Sequence, residues 1–101
     1  MQDITVHELK ERKDRGEEII VIDVREPWEY EEFNIGGLNV PLAELPMRMH
    51  DWEAWKDREV VVHCRSGGRS ATAKALLDQA GFSSVRNLLG GMMDWQMQFG
   101  S

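Results

Sequence analysis

The sequence lacks a second cysteine, so its single thiol, Cys64, cannot form a disulfide within the chain. This absence excludes a scaffold that depends on internal disulfides. The chain has 101 residues, and a chain of this length buries about two-thirds of its unfolded surface. We therefore expect one domain, covering residues 1–101, that hydrophobic packing stabilises.

Long hydrophobic runs and an excess of basic charge are also missing. The longest aliphatic run, residues 19–22, is far shorter than the roughly 20 apolar residues that span a bilayer. Residues 1–10 lack the pattern of a secretory signal. With 12 Lys and Arg against 18 Asp and Glu, the net charge is −6, which disfavours general nucleic-acid binding because phosphates require cations. We expect a cytoplasmic protein that binds neither membranes nor nucleic acids.

The hydrophobic pattern predicts short strands that alternate with helices. Strands are expected at residues 18–24, 38–40, 59–63 and 84–88. Helices or helical turns are expected after Thr5, from Pro27, over 42–55 and 71–80, and after Gly91. Residues 18–24 and 59–63 are apolar on both faces, as buried parallel strands are. This order predicts an α/β class with a mainly parallel central sheet and helices on both faces.

The loop after the strand at 59–63 carries reactive groups. It reads Cys64-Arg65-Ser66-Gly67-Gly68-Arg69-Ser70. Two consecutive glycines let backbone amides turn inward as an anion-binding nest. The two arginines and a helix that starts near Ser70 add positive charge. We expect the pKa of the Cys64 thiol to lie below its usual value of about 8.5, which leaves a nucleophilic thiolate at neutral pH.

Two other interpretations of Cys64 have to be weighed. A lone cysteine is most often a small buried hydrophobe, but arginine, serine and glycine neighbours disfavour that interpretation here. A cysteine phosphatase or arsenate reductase is the other alternative. Cysteine phosphatases have five residues between the nucleophile and an arginine, whereas four separate Cys64 from Arg69. The shorter loop suits a single terminal sulfur better than a phosphoryl group.

Four segments between Asp23 and Trp95 form a combined pattern. They are Ile22-Asp23-Val24-Arg25-Glu26, Trp28-Glu29-Tyr30, the Cys64 to Ser70 loop, and Asn87-Leu88-Leu89-Gly90-Gly91 with Trp95. The pattern resembles the single-domain rhodanese family of sulfurtransferases and spans nearly the whole chain. The resemblance implies the rhodanese-like three-layer fold.

The resemblance also implies a two-step sulfur transfer. The Cys64 thiolate takes the outer sulfur of a small anionic donor such as thiosulfate, and the persulfide passes it to cyanide or a cellular thiol. The implied anion-binding loop consists of Arg65, Ser66, Gly67, Gly68, Arg69 and Ser70. Its amides hold the terminal sulfur, its arginines orient the donor, and its last hydroxyl bonds to the thiolate. Because the chain has no second thiol, the acceptor is expected to be an external thiol or a sulfur-relay protein.

Several residues near Cys64 have a structural and a functional interpretation. Asp23 and Arg25 end a neighbouring strand and are expected either to support the pocket or to brace the sheet as an ion pair. His63 is expected to face away from the site, packed or hydrogen-bonded, because successive strand residues point to opposite sides. Met92 and Met93 are expected in the core, with the lip of an apolar pocket as the alternative.

The remaining predictions concern absences and one departure from the family. His7, His50 and His63 lack metal-ligand spacing, so we expect no metal, and no cofactor is implied. The family commonly has a G-H-I-P-G-A-type segment, which corresponds here to residues 33–41 with Asn34 in place of the histidine and one residue fewer. A non-catalytic rhodanese-like binding module remains an alternative function, although the presence of Cys64 and Arg69 argues against it. The sequence carries no feature that predicts an oligomer.

Overall fold

The structure, a computed structural model, describes residues 2–100, along which helices and strands alternate. The helices are α1 (Val6–Asp14), α2 (Pro27–Glu32), α3 (Leu45–Arg48), α4 (Gly68–Gln79) and α5 (Gly91–Phe99). The strands are β1 (Ile20–Asp23), β2 (Leu38–Asn39), β3 (Glu59–His63) and β4 (Ser84–Asn87). Two 3-10 helices, Leu42–Glu44 and Met49–Trp55, flank α3, as expected where Pro46 interrupts a longer helix. Within residues 2–100, none of the helices is long and apolar enough to cross a membrane.

The strands form a parallel sheet in the order β2-β1-β3-β4. Ile22 of β1 lies opposite Val62 of β3, and Asp23 lies opposite His63. The two central strands are covered on both faces, which is why their sequences are apolar without alternation. The parallel sheet and the positions of its strands confirm the prediction.

Helices cover each face of this sheet. On one face, Val60 and Val62 pack with Leu77 of α4, Leu45 of α3 and Trp52. The opposite face packs Val61 and Val21 with Leu9 of α1 and with Met92 and Trp95 of α5. The α/β class with helices on both faces is therefore confirmed.

An ion-pair network fixes α1 to the beginning of β3, at the end of that strand away from Cys64. Arg86 of β4 donates to Glu8 at 2.7 Å and to Glu59 at 2.9 Å. Arg12 of α1 donates to the same Glu59 carboxylate. This network stabilises the scaffold and leaves the carboxyl ends of the strands available for chemistry.

Candidate active site

The sulfur of Cys64 lies inside a curl of backbone amides directly after β3. The amide of Gly67 donates to Sγ at 3.1 Å and the amide of Ser70 at 3.4 Å. The hydroxyl of Ser70 lies 3.4 Å from the same sulfur. Only 1% of Cys64 is exposed. The predicted cradle is therefore assembled around the one thiol of the chain.

Helix α4 begins at Gly68, so the predicted start at residue 71 is wrong. Gly67 caps the helix with φ +118°, a left-handed conformation that favours glycine. Glycine is a poor helix former, which is why the sequence pattern put the start later. The early start places the unpaired amides of the first turn, including that of Ser70, beside Sγ.

The surroundings of Cys64 act on its pKa in opposite directions. Burial is the largest single effect and raises the pKa of the Cys64 thiol, because a buried thiolate is poorly solvated. Hydrogen bonds from the Ser70 hydroxyl and from the amides of Ser70, Gly67 and Ser66 lower the pKa, and together they outweigh burial. The net pKa lies below the usual value, as predicted. Hydrogen bonds are the largest causes of the lowering, and three of them come from the backbone amides of the predicted anion-binding nest.

Asn87 of β4 is a site residue that sequence reasoning missed. Its Oδ1 accepts a 2.6 Å hydrogen bond from the Ser70 hydroxyl, and its Nδ2 donates to the Gly67 carbonyl at 3.4 Å. A signal was present, because Asn87 is a polar residue at the carboxyl end of a buried parallel strand. The side chain connects the two parts of the loop that hold Sγ.

Glu29 of α2, also missed, forms a double ion pair with Arg69. Its two carboxylate oxygens accept from Arg69 at 2.7 and 2.9 Å. These bonds lower the pKa of Glu29 to about 2, so the pair is fully charged at neutral pH. Arg69 is thus committed to a carboxylate, whereas the side chain of Arg65 makes no hydrogen bond or ion pair with any of residues 2–100.

Asp23 and Arg25 form the buried ion pair that the structural interpretation predicted. The guanidinium donates to Oδ1 at 3.0 Å and to Oδ2 at 2.7 Å. It also donates to the carbonyl of Phe33 at 2.8 Å, beyond the end of α2. Arg25 also lines a cavity between α2, α5 and the Cys64 loop. The same residue therefore braces the end of the sheet and forms part of the cavity wall.

His63 is fully buried, which confirms the prediction of a packed or hydrogen-bonded histidine in its packed form. Neither ring nitrogen has a hydrogen-bond partner within residues 2–100. The Asp23 carboxylate lies 3.8 Å from Nε2. Burial outweighs this carboxylate and lowers the pKa of His63 to about 4. The imidazole is therefore neutral at pH 7.

A cavity of about 400 Å³ lies between α2, α5 and the Cys64 loop. It is lined by Arg25, Trp28, Glu29, Glu32, Phe33, Arg65, Met92 and Gln96. Met92 therefore belongs both to the core and to the pocket wall, while Met93 is half-exposed. The amides of Met92 and Met93 donate to the carbonyls of Cys64 and Arg65 at 3.0 and 2.8 Å, which joins α5 to the loop.

Asn34, the departure from the family pattern, closes the turn after α2. Its side chain donates to the carbonyl of Tyr30 at 2.9 Å and accepts from the amide of Gly36 at 2.9 Å. The Tyr30 hydroxyl donates to the Gly37 carbonyl at 3.1 Å. The asparagine thus gives this shorter segment its own hydrogen bonds. Among residues 2–100, no group of three or more His, Cys, Asp or Glu side chains is placed to hold a metal ion.

Comparison with known proteins gives consistent matches. Residues 5–98 match the family described as rhodanese-like domain. A protein of Allochromatium vinosum named sulfurtransferase is 38% identical over 96 residues, which cover 94% of this chain and 88% of that protein. The thiosulfate sulfurtransferase PspE of Escherichia coli is 36% identical over 77 residues, 75% of this chain and 73% of that protein. The crystal structure of a rhodanese-like domain protein from Staphylococcus aureus has a TM-score of 0.83 at 26% identity and covers 94% of this chain and 91% of its own.

Proposed function

Because this chain belongs to the rhodanese-like domain family, we propose that it transfers sulfane sulfur from a small anionic donor such as thiosulfate to a thiophilic acceptor through a persulfide on Cys64. The named relatives support a rhodanese-type sulfurtransferase. The observation that carries the proposal of a Cys64 persulfide is the position of Sγ, which accepts hydrogen bonds from the amides of Gly67 and Ser70. These bonds favour the thiolate over the thiol.

In the first step, the Cys64 thiolate attacks the outer sulfur of the donor. A new S–S bond forms to Cys64, and the S–S bond within thiosulfate breaks, so sulfite leaves with the electron pair. The persulfide carries its negative charge on the terminal sulfur. The loop amides of residues 65–70 and the N-terminus of α4 supply the positive potential that stabilises this charge.

The donor anion needs a cation at the mouth of the cradle. Arg65 follows the nucleophile directly and its side chain is exposed and without a partner in residues 2–100. Arg69 shares its charge with Glu29. We therefore assign the main contact with the donor to Arg65, since guanidinium groups bind oxyanions in paired hydrogen bonds.

In the second step, an external nucleophile such as cyanide or a thiolate attacks the terminal sulfur. The bond between that sulfur and Cys64 breaks, and Cys64 regains the electron pair as a thiolate. The cycle needs neither an oxidant nor a second cysteine in the chain. The phosphatase alternative requires the arginine that ends the loop to bind the phosphoryl group, and the pairing of that arginine, Arg69, with Glu29 argues against it.

Intact-protein mass spectrometry after incubation with thiosulfate tests the proposal. The protein is expected to gain the mass of one sulfur atom, to lose it on addition of cyanide, and to gain nothing as the Cys64→Ser variant. An absence of any gain with thiosulfate, a thiosulfonate and a small-molecule persulfide would overturn the proposal. Cys64-dependent hydrolysis of an aryl phosphate without any sulfur gain would establish the phosphatase alternative.

A further inference from the structure

Two charges in the cavity beside the Cys64 loop have no partner in the described part of the chain. Four charged side chains line this cavity. Arg25 is bound to Asp23 and Glu29 is bound to Arg69. The side chains of the other two, Arg65 and Glu32, make no hydrogen bond or ion pair within residues 2–100. The cavity therefore offers one available cation and one available carboxylate.

These two groups lie on different walls. Arg65 belongs to the loop directly after the nucleophile, and Glu32 is the last residue of α2. Trp28, which is 62% exposed, and Met92 give the cavity apolar surface. A volume of about 400 Å³ is at the small end of ligand pockets. The lining thus suits a small molecule that carries both a negative and a positive group.

We propose that this cavity binds the sulfur acceptor and selects a small zwitterionic thiol, with its carboxylate facing Arg65 and its ammonium group facing Glu32. This inference rests on the sulfurtransferase activity proposed above. The acceptor thiol loses its proton to solvent, and its sulfur attacks the terminal sulfur of the Cys64 persulfide. One S–S bond forms as another breaks, so the acceptor leaves as a persulfide and Cys64 as a thiolate.

Glu32 distinguishes the acceptor from the donor. A dianionic donor such as thiosulfate is attracted by Arg65 and repelled by Glu32. A zwitterionic thiol is attracted by both. Removal of the Glu32 charge is therefore expected to change the KM values for donor and acceptor in opposite directions, whereas a purely structural role would change both in the same direction.

Steady-state kinetics with four acceptor probes test this inference. Cysteine carries both charges, cysteamine only the ammonium group, 3-mercaptopropionate only the carboxylate, and 2-mercaptoethanol neither. The Glu32→Gln variant is compared with the unmodified protein for each thiol, so that intrinsic thiol reactivity cancels. We expect the KM for cysteine and for cysteamine to rise about two- to fivefold, the effect of an exposed ion pair. The KM for the uncharged 2-mercaptoethanol is expected to stay unchanged, whereas the KM values for the anions 3-mercaptopropionate and thiosulfate are expected to fall because Glu32 no longer repels them.

Glu31→Gln is the matched control, because Glu31 is an exposed neighbour on α2 that does not line the cavity. It is expected to leave all KM values unchanged. An equal effect of Glu31→Gln, equal KM ratios for all four thiols, or a rise in the KM for thiosulfate would each overturn the acceptor proposal. Mass spectrometry of the thiosulfate-treated protein separates the two proposals. If the persulfide forms but the thiols are not distinguished, only the acceptor proposal fails; if no persulfide forms, the sulfurtransferase proposal fails as well.

Discussion

Oδ1 of Asn87 lies 2.6 Å from the hydroxyl oxygen of Ser70, and that hydroxyl lies 3.4 Å from Sγ of Cys64. A serine hydroxyl has one proton to donate, so Asn87, the carbonyl of Gly67 at 3.2 Å and the thiolate compete for it, and Asn87 is the nearest of the three acceptors. When Cys64 is protonated, its thiol can donate to Ser70 while Ser70 donates to Asn87. When Cys64 is ionised, the hydroxyl can turn toward the sulfur. Asn87 therefore acts on the ionisation of Cys64 through Ser70.

Ser70→Ala is expected to raise the pKa of the Cys64 thiol. The substitution removes a hydrogen bond to a charged group, which contributes about 1.5–3 kcal/mol, and this loss disfavours the thiolate. The rate of alkylation by iodoacetamide as a function of pH measures the change. Thr72→Ala, at an exposed position of the same helix, is the control and should leave the profile unchanged.

Substitutions of Asn87 are expected to change the same pKa in opposite directions. Asn87→Asp keeps an acceptor for the Ser70 hydroxyl, binds it more strongly as a carboxylate, and adds negative charge near Sγ, so the pKa should rise. Asn87→Ala releases the hydroxyl to the thiolate, so the pKa should fall. The same alkylation profile measures both variants. A rise in both would contradict competition for the hydroxyl and would indicate that Asn87 only holds the loop in place.

The fold and the nucleophile could be predicted because their signals are local. Apolar β-branched residues over 59–63 identify a buried strand without knowledge of its partners. The Cys64 loop is likewise continuous in sequence, so its amides, its glycines and its thiol could be interpreted together. The first residue of α4 was missed because it is Gly68, and glycine has a low helix propensity. At the first position of a helix, the residue contributes a backbone amide to the loop, and propensity does not report on that contribution.

The missed parts of the site depend on tertiary contacts. Glu29 is 40 residues from Arg69 and Asn87 is 17 residues from Ser70 along the chain. Both residues stood inside the family pattern, but a single sequence does not specify which side chains meet across the sheet. The lack of a hydrogen-bond partner for His63 could not be predicted for the same reason. Strand alternation predicts the face of the sheet on which a side chain lies and not its hydrogen bonds.

Gly91→Ala is expected to destabilise the protein by several kcal/mol and to displace the Cys64 loop. A Cβ at this position would lie 2.5 Å from the carbonyl oxygen of Cys64 and 2.7 Å from that of Arg65. The backbone also has φ +54°, which disfavours alanine. Gly36→Ala is the matched control, because Gly36 has φ +83° with nothing within 4 Å of the added Cβ. Its cost should be about 1–2 kcal/mol, the backbone term alone. Urea unfolding of both variants measures the difference, and equal losses would contradict a role for the contact with the loop.

The pairing of Glu29 with Arg69 predicts that neutralising both residues restores donor binding. Arg69→Gln should raise the KM for thiosulfate because it removes a cation and leaves the Glu29 carboxylate uncompensated beside the site. Glu29→Gln should lower that KM, and the double variant should return close to the original value. Steady-state kinetics at low ionic strength give the strongest effect, since salt screens it. A double variant as impaired as Arg69→Gln alone would show instead that the arginine contacts the donor directly.

The buried imidazole of His63 is expected to make the protein less stable in acid. Burial lowers its pKa in the folded state to about 4, below the ordinary value of 6.5. Between these values the unfolded chain binds a proton that the folded protein excludes, so the free energy of unfolding falls as the pH falls from about 6.5. The loss by pH 4.5 should be about 2–3 kcal/mol, since each pH unit is worth about 1.4 kcal/mol. The ion-paired carboxylates Glu29 and Glu59 have pKa values of about 2. They lose their contribution to the free energy of unfolding only as the pH falls below about 4.5. The change in stability between pH 6.5 and pH 4.5 therefore reports on His63.

Urea unfolding of His63→Leu between pH 7 and pH 4.5 tests this assignment. The substitution places an apolar side chain of similar size in the buried position and removes the titrating group. The difference in the free energy of unfolding between pH 7 and pH 4.5 should therefore nearly disappear, whatever the absolute stability of the variant. His50→Gln, at an exposed position, is the control and should keep the original pH dependence. If His63→Leu kept that dependence too, the excluded proton would belong to another group, and the neutral buried imidazole would not be the source of acid sensitivity.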